Sequence, residues 1–134
     1  MRILKALTAL ACILLLTQCA VSVPKSDIPA SAWRPDDIGV ATNKIYIQKS
    51  RSGSDLRLRA DDKYDVIGVI QPGEKIQITR CYRYPVTTAG GTHLDAVILD
   101  GKFSGTKVSM GILGNTYDFI YLKPNPKVLE RINH

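Results

Sequence analysis

The sequence predicts an all-β fold: a small, mostly antiparallel barrel preceded by a tether and followed by a short C-terminal helix. Three observations predict it. Apolar and polar residues alternate in short runs, as in Ile45-Tyr46-Ile47 and Leu56-Arg57-Leu58-Arg59, and a period of two marks a strand with one buried and one wet face. Turn dipeptides punctuate the runs at Pro72-Gly73, Asp100-Gly101 and Gly114-Asn115, where proline presets φ and glycine accepts a positive one. The stretch Leu56–Thr79 reads as strand, loop, strand, tight turn and strand, a small antiparallel sheet with one solvated side. At 134 residues the chain has room for one domain.

The N-terminus has the three-part pattern of an export signal. Arg2 and Lys5 precede an apolar run from Ala6 to Leu16, and small and polar residues follow from Thr17 to Ser22. That run is too short for a comfortable membrane span. Leu16-Thr17-Gln18-Cys19 resembles the lipobox of bacterial lipoproteins, with Gln18 where the family pattern has a small residue. The resemblance implies cleavage after residue 18, acylation of Cys19 and, with Ala20 rather than aspartate next, an outer-membrane anchor facing the periplasm. A cut after Ser22, read from the small residues Ala20 and Ser22, is the alternative and would release a soluble exported protein. The expected division is therefore a signal peptide over 1–18, a lipidated cysteine and flexible tether over 19–37, and a barrel domain over 38–134.

Within 23–37 three prolines and scattered polar residues predict extended chain. Trp33, the only tryptophan, either folds back to close one end of the core or meets a partner. Strands are expected near 45–48, 56–59, 66–70, 75–82, 93–99, 107–113 and 117–122. The last run places Tyr117, Phe119 and Tyr121 on one face, as cross-strand packing or as a stacking ladder for sugar or peptide. Residues 127–134, KVLERINH, are long enough for two helical turns.

Leu56, Leu58 and Arg59, then Asp61 to Tyr64, then Val66 to Ile70, then Gly73, Glu74, Ile76 and Ile78 are similar in order and spacing to the opening of bacterial Src-homology-3-type domains. The resemblance implies a Src-homology-3-like barrel. Beyond Thr79 the family's glycine-tryptophan pairs are replaced by a long loop and by Thr106, so the scaffold is expected without the usual aromatic groove. Trp33, Arg57, Arg59, Tyr82, Tyr84, Tyr117 and Tyr121 are the candidate partner-binding residues.

Composition narrows the chemistry. The net charge of +6 falls to about +4 once Arg2 and Lys5 are removed, and cations are dispersed among acids, so nucleic acid is not an expected partner. Two histidines and one cysteine beyond the signal region form no metal-ligand spacing, and no phosphate-cradling glycine motif is present; neither metal nor cofactor is expected. Asp61, Asp62 and Asp65 read as turn-formers on a solvated loop. Cys12 lies in the signal and Cys19 at its edge, which leaves Cys81 without a partner in the expected domain. Its parity is opposite to Ile76 and Ile78, which sets it on the other face of its strand unless a bulge intervenes. A catalytic accessory would need Cys81 and His93 as a dyad with an orienting acid. The leading expectation is a non-enzymatic binding or scaffolding module anchored in the envelope, for cell wall or an envelope protein complex. The alternative is an inhibitor or immunity lipoprotein that caps a wall-degrading or membrane-active enzyme.

Overall fold

Ile76, Ile78, Leu94, Ala96, Ile98 and Val108 fall at alternate or bulge-shifted positions of neighbouring strands, and burying them together defines the inner face of one curled sheet. The computed structural model describes residues 21–49, 55–63, 65–83, 93–110, 114–117, 122–124 and 126–132. Its strands are β1 (Val21–Ser22), β2 (Ile38–Ala41), β3 (Ile45–Lys49), β4 (Leu56–Arg59), β5 (Val66–Ile70), β6 (Lys75–Arg83), β7 (His93–Ile98), β8 (Lys107–Ser109), β9 (Gly114–Tyr117), β10 (Leu122–Pro124) and β11 (Leu129–Arg131). The main sheet runs β11-β2-β6-β7-β8-β4-β3-β5, with β1 beside the far end of β6. It curls into a half-barrel and is antiparallel except where β4 meets β8. β9 and β10 pair separately. Among the described residues no helix is long and apolar enough to cross a membrane.

The all-β expectation holds, and its pairing is rearranged. Strands 56–59, 66–70 and 75–83 are not successive neighbours. β4 pairs with β3 and β8, β5 pairs with β3, and β6 lies between β7 and the β1/β2 side. Pro72-Gly73 makes a tight turn, with Gly73 at φ 93° and the Glu74 amide donating to the Gln71 carbonyl at 3.1 Å. The turn is nevertheless a corner and not a hairpin, because its polar groups go to β2. Gly73 N–H donates to Ala41 O at 2.7 Å, and Ala41 N–H donates to Glu74 O at 2.8 Å. Ala41 thus takes the bonds that a hairpin would have satisfied internally.

The tether expectation is overturned for residues 21–37. Val21 and Ser22 pair with Arg83 and Tyr82, and Ile28 and Ala32 are buried in the core. Trp33 folds back, its ring pressed on the backbone of Gly39 and against Leu129. The expected C-terminal helix is also overturned. Residues 129–131 form β11, antiparallel to β2, and Val128 and Leu129 are buried. A two-turn helix forms few bonds of its own, whereas pairing with β2 satisfies the backbone and buries Leu129 together.

Arg131 fastens the two ends of the fold. Its guanidinium donates to the carbonyls of Ala32 at 2.9 Å and Ala30 at 3.4 Å and forms an ion pair with the buried Asp37 carboxylate at 3.3 Å. Asp37 also accepts from the Arg34 amide at 2.9 Å. Of the single run expected over 117–122, residues 118–121 lie outside the described residues. Tyr117 ends β9, Leu122 opens β10, and the two stand opposite each other. Gly114 and Asn115, expected as a turn, lie inside β9.

Candidate functional site

On the outer face of the sheet the register lines up one row of polar side chains. Arg80 is opposite Asp95, Asp95 opposite Ser109, Ser109 opposite Arg57, and Arg57 opposite Gln48. Adjacent strands lie about 4.8 Å apart, so Arg80 and Arg57 bracket Asp95 and Ser109 across roughly 14 Å. One step along the strands, Tyr82 is opposite His93.

A bulge creates this face. Ile78 pairs with Ala96, but Arg80 pairs with Asp95, so Thr79 is an extra residue on β6. One inserted residue swaps the two faces of everything after it. Arg80 and Tyr82, in phase with Ile76 and Ile78 by sequence, are turned outward, and Cys81 is turned into the core with 1% exposure. The backbone of Ile78 is held at this point by the chain before β2: its N–H donates to Asp37 O at 2.8 Å, and its carbonyl accepts from Asp36 N–H at 2.8 Å.

The bulge dissolves the Cys81–His93 dyad. Cys81 pairs with the buried Leu94, whereas His93 pairs with Tyr82, which places thiol and imidazole on opposite sides of the sheet. Burial pushes the Cys81 thiol up to about 11, away from the thiolate that a nucleophile needs.

The outer face is organised around Tyr82. Its ring stacks on His93 with centroids 5.3 Å apart and planes 20° apart, and the Arg80 guanidinium carbon lies 4.9 Å from its centroid, within cation–π range. Arg80 Nε is tied to Ser22 Oγ at 3.0 Å. Tyr82 also hydrogen-bonds the Asp95 side chain, the diagonal reach expected between adjacent strands. Partial burial raises the Asp95 pKa against the pull of Arg80, while burial lowers that of His93, with Asp95 opposing and Arg57 assisting. Both groups move toward their neutral forms, in which each offers a hydrogen-bond donor and an acceptor.

Arg57 completes the strip. It is exposed and has neither hydrogen bond nor ion pair among the described residues. Arg59 shares its face but is engaged by the Asp61 carboxylate at 3.3 Å through Nε and through Nη2, which holds the Asp61 pKa below its ordinary value. The arrangement offers a flat aromatic surface, a half-buried polar centre of His93 and Asp95, and a cation, Arg57, without a bonded partner among the described residues.

Of the residues singled out by sequence, Arg57, Arg59 and Tyr82 come to one face. Trp33 lies elsewhere, against Gly39 and Leu129. Tyr117 ends β9, whereas Cys19, Tyr84 and Tyr121 lie outside the described residues. Arg80, His93, Asp95 and Ser109 were missed as a group. The alternation in His93-Leu94-Asp95-Ala96 carried the signal for β7, but the bulge that brings Arg80 and Tyr82 beside it has none. No group of His, Cys, Asp and Glu among the described residues is arranged to hold a metal. Comparison of the chain with protein-family models, with curated proteins and with solved structures finds no match.

Proposed function

We propose that the protein is an envelope-anchored, non-enzymatic binding or scaffolding module for cell wall or an envelope protein complex. In this reading Cys19 carries the lipid, and the domain faces the periplasm from the outer membrane on a Src-homology-3-like scaffold. The curl of the sheet and the β6-β7-β8 meander support the scaffold. One observation carries the binding role: Arg57, which has no hydrogen bond or ion pair among the described residues, shares one outer face with the Tyr82–His93 stack, two strands away from His93. Planar or sugar-like groups pack on such aromatic surfaces, and an acidic group reaches the guanidinium.

Pelleting of the purified protein with insoluble wall sacculi tests the wall reading. Arg57→Ala and Tyr82→Ala are each expected to weaken retention about tenfold, the effect of removing one central anchor. Retention unchanged by both substitutions would rule out the strip as the wall site. Absence of retention, together with a stable complex with a secreted wall-degrading enzyme, would instead establish the inhibitor alternative.

A further inference from the structure

β5 ends the main sheet, and its outer edge has no backbone partner among the described residues, although the Phe103 ring lies against Gly68 in its middle. It pairs only with β3, and no other described backbone or side-chain group bonds to residues 66–70. The opposite end of the sheet is guarded: β11 is three residues long, contains Glu130 and Arg131, and is preceded by Pro126. Short length, charge and proline are the usual means of keeping an edge from pairing with another chain. β5 has neither charge nor proline. Its sequence is Val-Ile-Gly-Val-Ile, with Val66 38% and Ile67 42% exposed. The register shift against β3 falls at its first residues, Val66 and Ile67, which leaves Gly68 to Ile70 regular.

The approach to this edge carries Asp62, Lys63 and Asp65, all exposed, and is acidic by one net charge. Asp62 and Asp65 are exposed and make no ion pair among the described residues, in contrast to Asp61, which Arg59 holds. An apolar strand edge whose one end carries two carboxylates against a single lysine favours an extended segment with a cation at the matching end. We propose that the β5 edge is a strand-addition site for an extended segment of another protein. That segment carries β-branched residues at alternate positions and a lysine or arginine beside Asp62 and Asp65. A second copy is a poor occupant. Its β5 brings no cation to the two acids, and five paired residues bury far less than the roughly 1,200 Å² of a stable dimer. The site uses different atoms from the Arg57–Tyr82 strip, so the two stand or fall separately.

The test uses the purified protein and a synthetic peptide of alternating valine and threonine with a lysine at each end. Saturable binding is expected, with slowed amide hydrogen exchange confined to β5. Asp62→Asn/Asp65→Asn should weaken it about three- to tenfold at low salt, as two exposed ion pairs imply. Ile67→Lys should abolish it, with unchanged Trp33 emission showing that the variant is folded. The same variants should still pellet with wall sacculi if the strip binds them. Equal affinity for a peptide with glutamates in place of the lysines would overturn the proposal. So would protection, in the free monomer, of the β5 amides that face away from β3, or their protection through dimerisation without peptide.

Discussion

Cys81 shows how one side chain reports the backbone around it. The extra residue Thr79 sends the thiol inward, where its pKa is pushed from the ordinary 9.0 to about 11 by burial. A group whose folded pKa is raised contributes stability that is complete below the unfolded pKa and is lost as pH rises through the folded one. The protein should therefore lose up to roughly 2 to 3 kcal/mol between about pH 9 and 11. Cys81→Ala should flatten that limb of a urea-denaturation pH series while costing some stability at neutral pH. An identical alkaline limb in the variant would show that the thiol is not buried as described. Deleting Thr79 tests the same geometry from the other side. With the bulge gone, Ile78 and Arg80 would follow each other in a regular strand, so the shortened chain should keep Arg80 and Tyr82 outward and Cys81 inward, and a Cys81 that reacts readily with thiol reagents in it would show that Thr79 is not the extra residue.

Among the elements, the segments at either end of the described chain make the clearest case for tertiary context over local propensity. Asp37 and Arg131 are 94 residues apart, and their ion pair joins the chain before β2 to β11. Removing one member of a buried pair leaves the other uncompensated. Asp37→Ala or Arg131→Ala should each cost about 2 to 4 kcal/mol, and the double variant should cost less than their sum, by about 1 to 2 kcal/mol of coupling. Strict additivity in denaturant midpoints would mean that the pair does not act as a unit. Little of this was legible beforehand. The positions of β3 to β7 followed from alternation in Ile45-Tyr46-Ile47, Leu56 to Arg59 and His93 to Ile98, since each strand's own sequence encodes which face is buried. Pairing did not follow, because nothing in Val66–Ile70 says that β3 and not β6 will be its neighbour. The segment 21–37 read as tether because Pro24, Pro29 and Pro35 suit extended chain. Two of the same prolines instead open tight turns, the Pro24 carbonyl accepting from the Asp27 amide and the Pro29 carbonyl from the Ala32 amide, which set Ile28 and Ala32 against the sheet. In the candidate site Arg57 and Tyr82 were legible as residues but not as members of one face, for want of the bulge.

For the molecule as a whole, the curl has to be closed along the side that has no strand. Phe103, in the turn between β7 and β8, reaches across to β5, where a Cβ on Gly68 would meet the phenyl ring at 2.2 Å. Glycine there is the condition for the two arms of the half-barrel to touch. Gly68→Ala should displace the ring and destabilise the fold by about 1 to 3 kcal/mol. The penalty should shrink in a Phe103→Leu background, and a Gly68→Ala variant as stable as the parent in urea would show that the contact does not hold the arms together. At the other side of the sheet β1 begins at Val21, opposite Arg83. Cys19 is two residues earlier, and extended chain spans at most about 3.6 Å per residue. A lipid on Cys19 would therefore act through a leash of about 7 Å, shorter than the roughly 10 Å over which the field of a charged bilayer decays in 0.1 M salt. The domain would not sweep the periplasm in search of its partner. It would rest with Arg83 and the β1 edge at the headgroups, and whatever it binds would have to come to the membrane surface.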